Sequence, residues 1–111
     1  MTAAPQFAVH RSPSRSAAKP FVVVVQSDDF QRMPTRVVAP LVPAETLPGI
    51  DNTHPRVAPL FLIQGRPYRL NPLDLATLGV HRLGEPVASF ARDEDAKRRI
   101  QDALDTVLKP Y

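Results

Sequence analysis

The chain of 111 residues has no cysteine and no tryptophan, and only four glycines. Without cysteine, a disulfide framework, a thiolate zinc site and a cysteine nucleophile are excluded together, and a reducing compartment fits. No two of the glycines stand at G-x-G spacing, so the sequence offers no phosphate-cradling loop. Long apolar runs are missing as well. The longest, Phe21 to Val25 and Leu60 to Ile63, fall far short of the roughly 20 residues that span a bilayer. Pro5, His10, Arg11 and Pro13 interrupt the N-terminus before a signal-peptide core can form. The default expectation is a cytoplasmic protein with no membrane partner.

Proline is what the chain has in excess. Its 13 prolines are about 12% of residues, against a usual frequency of about 5%. Proline breaks helix interiors and is kept out of central strands, so short strands and turns are expected through most of the chain. Only the stretch from Val87 to Lys109 is free of proline for more than twenty residues. A hydrophobic share of 43% with 23% charged residues is that of an ordinary globular protein, and the length fits one domain over 1–111. A net charge of +3 is mildly basic, much less than a dedicated nucleic-acid binder carries, so sequence-specific nucleic-acid binding is not expected.

Residues 1–5 read as a frayed leader, and the alternation over 6–10 as a half-buried strand. Small, polar and basic residues make 11–20 a loop. Phe21-Val22-Val23-Val24-Val25 is the strongest strand, since its β-branched run favours a pleated surface and its two apolar faces both demand burial. A turn over 26–29 leads to a strand over 36–41, with Pro40 expected at an edge or bulge. After a proline-rich loop over 42–59, residues 60–63 and 68–70 form a hairpin around Gly65. Asn71, Pro72 and Gly79 stand where a helical turn would start and stop, with short strands predicted over 80–83 and 87–91. One long helix is predicted, over 92–109. Ala96, Ile100, Ala103, Leu104, Val107 and Leu108 form a single apolar stripe, and Asp93, Glu94 and Asp95 suit the positive end of the helix dipole. This order predicts a β-rich α+β fold, a small, strongly bent antiparallel sheet or barrel with one C-terminal helix.

No catalytic motif is found. His10, His54 and His81 lie on separate predicted elements, which argues against a metal site, and no cofactor is expected. The acidic pairs are explained by a turn and a helix start. The residues therefore point to a binder and not an enzyme.

Taken in order, several segments resemble the CcdB family of gyrase-poisoning toxins from toxin–antitoxin systems. They are Gln6-Phe7-Ala8-Val9, Phe21 through Asp28 with its Val-Gln-Ser-Asp end, and Arg36-Val37-Val38-Ala39-Pro40-Leu41. Asp74-Leu75-Ala76, Leu83-Gly84-Glu85-Pro86-Val87-Ala88 and a helix with Asp95, Lys97 and Ile100 follow at matching spacing. The resemblance implies an SH3-like β-barrel with a C-terminal helix, of the CcdB/MazF type, assembled as a homodimer. It also implies two partners: the A subunit of DNA gyrase as target, and a CcdA-like antitoxin with a disordered, acidic tail.

In that family a tryptophan followed by Gly-Ile near the C-terminus is central to poisoning. Here Asp105-Thr106-Val107 falls at that place, and Tyr111, behind Pro110, is the candidate displaced aromatic. The partner-contacting set implied is Asp29, Phe30, Gln101, Asp105, Thr106, Val107 and Tyr111. Two alternatives stay open. A ribonuclease toxin of the MazF/Kid type shares the barrel and would need His81 facing Arg66 and Arg69. A degenerate member would bind antitoxin without being toxic. For the homodimer, residues 22–25 and 60–63 with the helix end are expected between protomers, because one small domain has much apolar surface to cover.

Overall fold

Phe21 and the valines after it are covered on both faces by the chain itself. In the computed structural model, which describes residues 4–14, 17–46 and 56–109, strand β2 (Phe21–Val24) is buried throughout. Its side chains alternate across the pleat. Phe21 and Val23 enter a core with Val9, Leu41, Phe61, Ile63 and Leu70, closed by Ala96, Ile100 and Ala103 of the helix. Val22 and Val24 enter a second cluster with Ala4 and Val38, against which Leu78, Val80 and Leu83 pack. The expectation that residues 22–25 and 60–63 lie between protomers is corrected for most of them: Val22, Val23, Val24, Phe61 and Ile63 are buried within the chain and the half-buried Val25 packs on its core, which leaves Leu60 and Leu62 exposed.

Among the described residues, seven strands form one antiparallel sheet. Along it run β4 (Leu60–Ile63), β5 (Arg66–Leu70), β3 (Thr35–Pro43), β2, β1 (Ala8–Arg11) and β7 (Pro86–Ser89), with β6 (Ala76–Gly79) also on β3. Strand β3 is the axis of the curl. One side pairs with β2 over residues 38–41, while the other meets β6 over 35–38 and β5 over 41–43. Serving two partners in sequence bends the sheet into a half-barrel.

Pro40 sits inside β3, opposite Val22, and not at an edge. Its carbonyl accepts the Asn71 N–H at 3.0 Å, so its ring nitrogen faces the gap where β6 has ended and β5 begins. A missing donor costs nothing there.

The β4–β5 hairpin turns on Gln64 and Gly65, both with positive φ (54° and 79°), as a two-residue type I′ turn requires. Residues 71–79 do not form the expected helical turn. Asn71 Oδ1 accepts the Leu73 N–H at 3.1 Å, an Asx turn, and residues 76–79 are pulled out as β6 along β3. Asn-Pro starts a turn as readily as a helix, and the open side of β3 decides between them. Residues 80–82, expected extended, form a 3₁₀ turn instead.

Helix α1 (Glu94–Val107) has Asp93 as its N-cap, Oδ1 accepting the Ala96 N–H at 3.0 Å. It is shorter than the 92–109 span expected, and its apolar stripe outruns the core: Ile100 is fully buried, Leu108 is 63% exposed. Of the leader, Ala4 is buried, and its carbonyl accepts Arg36 Nε at 3.0 Å.

Candidate functional site

The segment joining β2 to β3 shows how a loop can be exposed and yet held. Ser27 caps the 3₁₀ turn Asp28–Phe30, its Oγ accepting the Asp29 N–H at 3.1 Å, and Asp28 Oδ1 accepts the Gln6 N–H at 2.8 Å. At the base, Gln26 Nε2 donates to the carbonyls of Phe30 and Thr35, both at 3.1 Å, while its Oε1 accepts the Val37 N–H. Arg36, only 4% exposed, donates to the carbonyls of Gln31 (3.0 Å), Met33 (2.7 Å) and Thr35 (2.9 Å) as well as Ala4. Charge-assisted bonds of this kind are among the stronger ones. Their effect is a stiff tip from which Phe30, 61% exposed, and Met33, 55% exposed, project beside the exposed Asp29.

Phe30 is thus a surface residue, not core. Met33 and the bracing role of Arg36 escape a reading of the sequence alone. The only signal for Arg36 is a cation opening an otherwise apolar strand.

The second group of expected site residues lies on α1. Gln101, Asp105 and Thr106 are exposed and Val107 is half-buried. Gln101 Nε2 donates to Asp105 Oδ1 at 2.9 Å, and Thr106 Oγ1 donates to the Asp102 carbonyl at 2.7 Å. Asp105 and Thr106, with Arg56, Asp102, Leu108 and Lys109, line an open cleft of about 460 Å³. Among the described residues no hydrogen bond or ion pair joins this group to the Phe30 loop. Tyr111 lies outside the described residues, as does His54.

The fold does not assemble His81 with Arg66 and Arg69. His81 follows β6, tied to the start of β3 by the Val80 N–H on the Pro34 carbonyl, whereas Arg66 and Arg69 belong to β5 at the other end of β3. Eight residue steps along a strand separate the two ends by about 25 Å. Arg69 Nη1 is engaged by the Ala58 carbonyl at 2.8 Å. His10 is buried, with Nδ1 2.9 Å from the Gly84 carbonyl oxygen and Nε2 without a partner. Among the described residues no three metal-ligating side chains converge, and no helix is long and apolar enough to cross a membrane.

With this geometry in place, comparison with known proteins is decisive for the family. The family model for the CcdB protein matches residues 6–109, nearly the whole chain. The chain belongs to the CcdB family. It is therefore a member of a family of toxin–antitoxin toxins. No curated protein matches its sequence.

Solved structures share the fold at low identity. An endoribonuclease from a mycobacterial species superposes with a TM-score of 0.72 at 21% identity, covering 100% of this chain and 97% of that one. A mycobacterial endoribonuclease in complex with its cognate antitoxin gives 0.74 at 20% identity, covering 96% and 97%. The Mycobacterium tuberculosis toxin MazF-mt6 gives 0.71 at 13% identity, covering 94% and 98%. The CcdB/MazF-like fold is thus established.

These neighbours also correct one expectation, that the chain is not an enzyme. Endoribonucleases share its fold, so the want of a contiguous motif does not make the chain a non-enzyme. A search for contiguous motifs misses sites whose groups come from separate strands and meet only in the fold.

Proposed function

We propose that this CcdB-family chain is the toxin of a two-component module, acting in the cytoplasm on the A subunit of DNA gyrase and neutralised by a CcdA-like antitoxin. The family match over residues 6–109 carries the reading. The braced loop supports it: a rigid tip presenting Phe30 and Met33 gives up little entropy on docking, and exposed apolar side chains so placed suit an anchor. The helix face of the exposed Gln101, Asp105 and Thr106 with the half-buried Val107 is the second contact, and Tyr111, outside the described residues, is assigned to the same contact. For the antitoxin, the support is a structural neighbour that is in complex with its own. Assembly as a homodimer is part of the proposal, with the exposed Leu108 end of α1 at the interface.

The test is incubation of the purified protein with gyrase and supercoiled DNA. Cleaved complexes should accumulate, and removing residues 109–111 should abolish them. Gyrase left untouched at micromolar protein sinks the poisoning claim.

RNA cleavage is a second reading, favoured by the endoribonuclease fold that covers 94–100% of the chain. Its base would be a group other than a His81–Arg66–Arg69 cluster. Mapping the ends of a long RNA after incubation decides it, and an intact RNA removes it.

A further inference from the structure

Strand β4 ends the sheet. Among the described residues its one neighbour is β5, with Ile63 opposite Arg66, Leu62 opposite Pro67 and Phe61 opposite Tyr68. Residues flanking a two-residue turn form a hydrogen-bonded pair, and such pairs alternate along an antiparallel ladder. Ile63 and Phe61 therefore bond to β5, while Leu62 and Leu60 turn their N–H and C=O groups to the open side. Pro67, opposite Leu62, withholds no bond from β4. The Leu60 carbonyl accepts Arg99 Nη2 at 2.6 Å, and nothing engages Leu62 on that side among the described residues.

Proteins normally blunt such edges with charge, proline or a bulge. The opposite edge does so: β7 begins at Pro86, and its register with β1 shifts at Val9/His10. Leu-Phe-Leu-Ile in β4 uses none of these devices, and Leu62 is 67% exposed. Beside the Leu60 end lies a cleft of about 280 Å³ lined by Arg56, Pro59, Arg98, Arg99 and Asp102. Arg98 is held by Asp95 and Asp102, and the Arg99 guanidinium also lies over the Phe61 ring at 4.6 Å. Arg56 is exposed and has no ion pair among the described residues. Arg98 is thus paired with Asp95 and Asp102, and Arg99 stands 4.0 Å from Asp95, which leaves Arg56 as the cation of this cleft open to an anionic visitor.

We propose that β4 is a strand-addition site for an extended acidic peptide. The peptide pairs its main chain with the outward groups of Leu62 and the Leu60 N–H, and sets a carboxylate on Arg56. On the toxin–antitoxin reading above, on which this identification rests, the peptide is a stretch of the antitoxin's acidic tail. The site itself rests on the open edge and Arg56.

The probe is a fluorescein-labelled decapeptide alternating glutamate and valine, with a lysine–valine peptide as control, titrated into the full chain. Binding of the acidic peptide should weaken at least tenfold in Arg56→Glu. Saturation should slow exchange of the Leu62 amide at least tenfold. Leu62→Pro, which removes the outward N–H and no β4–β5 bond, should abolish binding; should that variant not fold, Arg56→Glu and the exchange measurement suffice.

Three results overturn the proposal. The lysine peptide binds as tightly, protection arises away from Leu62, or the Leu62 amide of the free chain is already protected in proportion to concentration, which places a second copy on the edge. None of these readouts depends on toxicity. Peptide binding at β4 in a chain that leaves both gyrase and RNA untouched would retire the toxin reading alone.

Discussion

Arg36 Nη1 lies 2.7 Å from the carbonyl oxygen of Met33, and this contact makes a buried cation the scaffold of an exposed loop. The guanidinium replaces water at the carbonyls of Gln31 and Met33 and shares that of Thr35 with Gln26, and so holds Phe30 and Met33 outward.

Arg36→Met keeps the apolar stem and removes the donors. Carbonyls left unpaired cost about 1–3 kcal/mol each when buried, so a loss of about 3 kcal/mol is expected. Thermal denaturation should show Tm lower by about 10 °C, with faster amide exchange over residues 30–35.

Phe30→Ser combined with Met33→Ser touches side chains that are 61% and 55% exposed. Stability should stay within about 0.5 kcal/mol, as for surface changes elsewhere. On the gyrase reading, affinity for the A subunit measured by calorimetry should fall at least tenfold in the same variant.

Gln64 occupies φ +54° at the first turn position of the β4–β5 hairpin, where a side chain is strained. Gln64→Asn introduces the pair most favoured in this turn and should raise stability by about 0.5 kcal/mol in urea denaturation.

Gly84 is needed for close approach. A Cβ there would meet the carbonyl oxygen and Cβ of Arg11, both at 2.7 Å. Since the Gly84 N–H donates to that carbonyl at 2.9 Å, Gly84→Ala must push apart backbone on both sides. A loss of about 2 kcal/mol is expected, in the range of overpacking. By contrast, Gly65→Ala meets open space and suffers only from its φ of +79°, costing about 1 kcal/mol.

Ile100 and Leu108 share one stripe but not one environment, at 0% and 63% exposure. Ile100→Ala should cost about 3 kcal/mol through its cavity, and Leu108→Ala almost nothing in the monomer. If Leu108 lies in a dimer interface, the second change should raise the dissociation constant seen by sedimentation.

Local pattern carries some elements to the right answer for a physical reason. In β2, β-branched side chains restrict the backbone wherever they stand, and in α1 the stripe from Ala96 to Ala103 permits one amphipathic solution. Residues 71–83 carry no such constraint. Asn71-Pro72 suits a turn or a helix start, and four residues of weak preference follow whatever edge is open, here that of β3. The same holds for the candidate site. Phe30 can be marked as notable in the chain, but its exposure depends on Arg36 reaching under the loop.

The amino-acid order by itself determined the family, the β-rich class, the capped terminal helix and the demand that both faces of β2 be buried. These rest on steric and periodic preferences that act within a few residues. Only the tertiary structure decided that the chain meets that demand unaided, that Pro40 lies harmlessly between two partner strands, and that His81 stands apart from the β5 arginines. Each of these depends on which strand lies beside which, and pairing between distant segments is settled by the whole core at once.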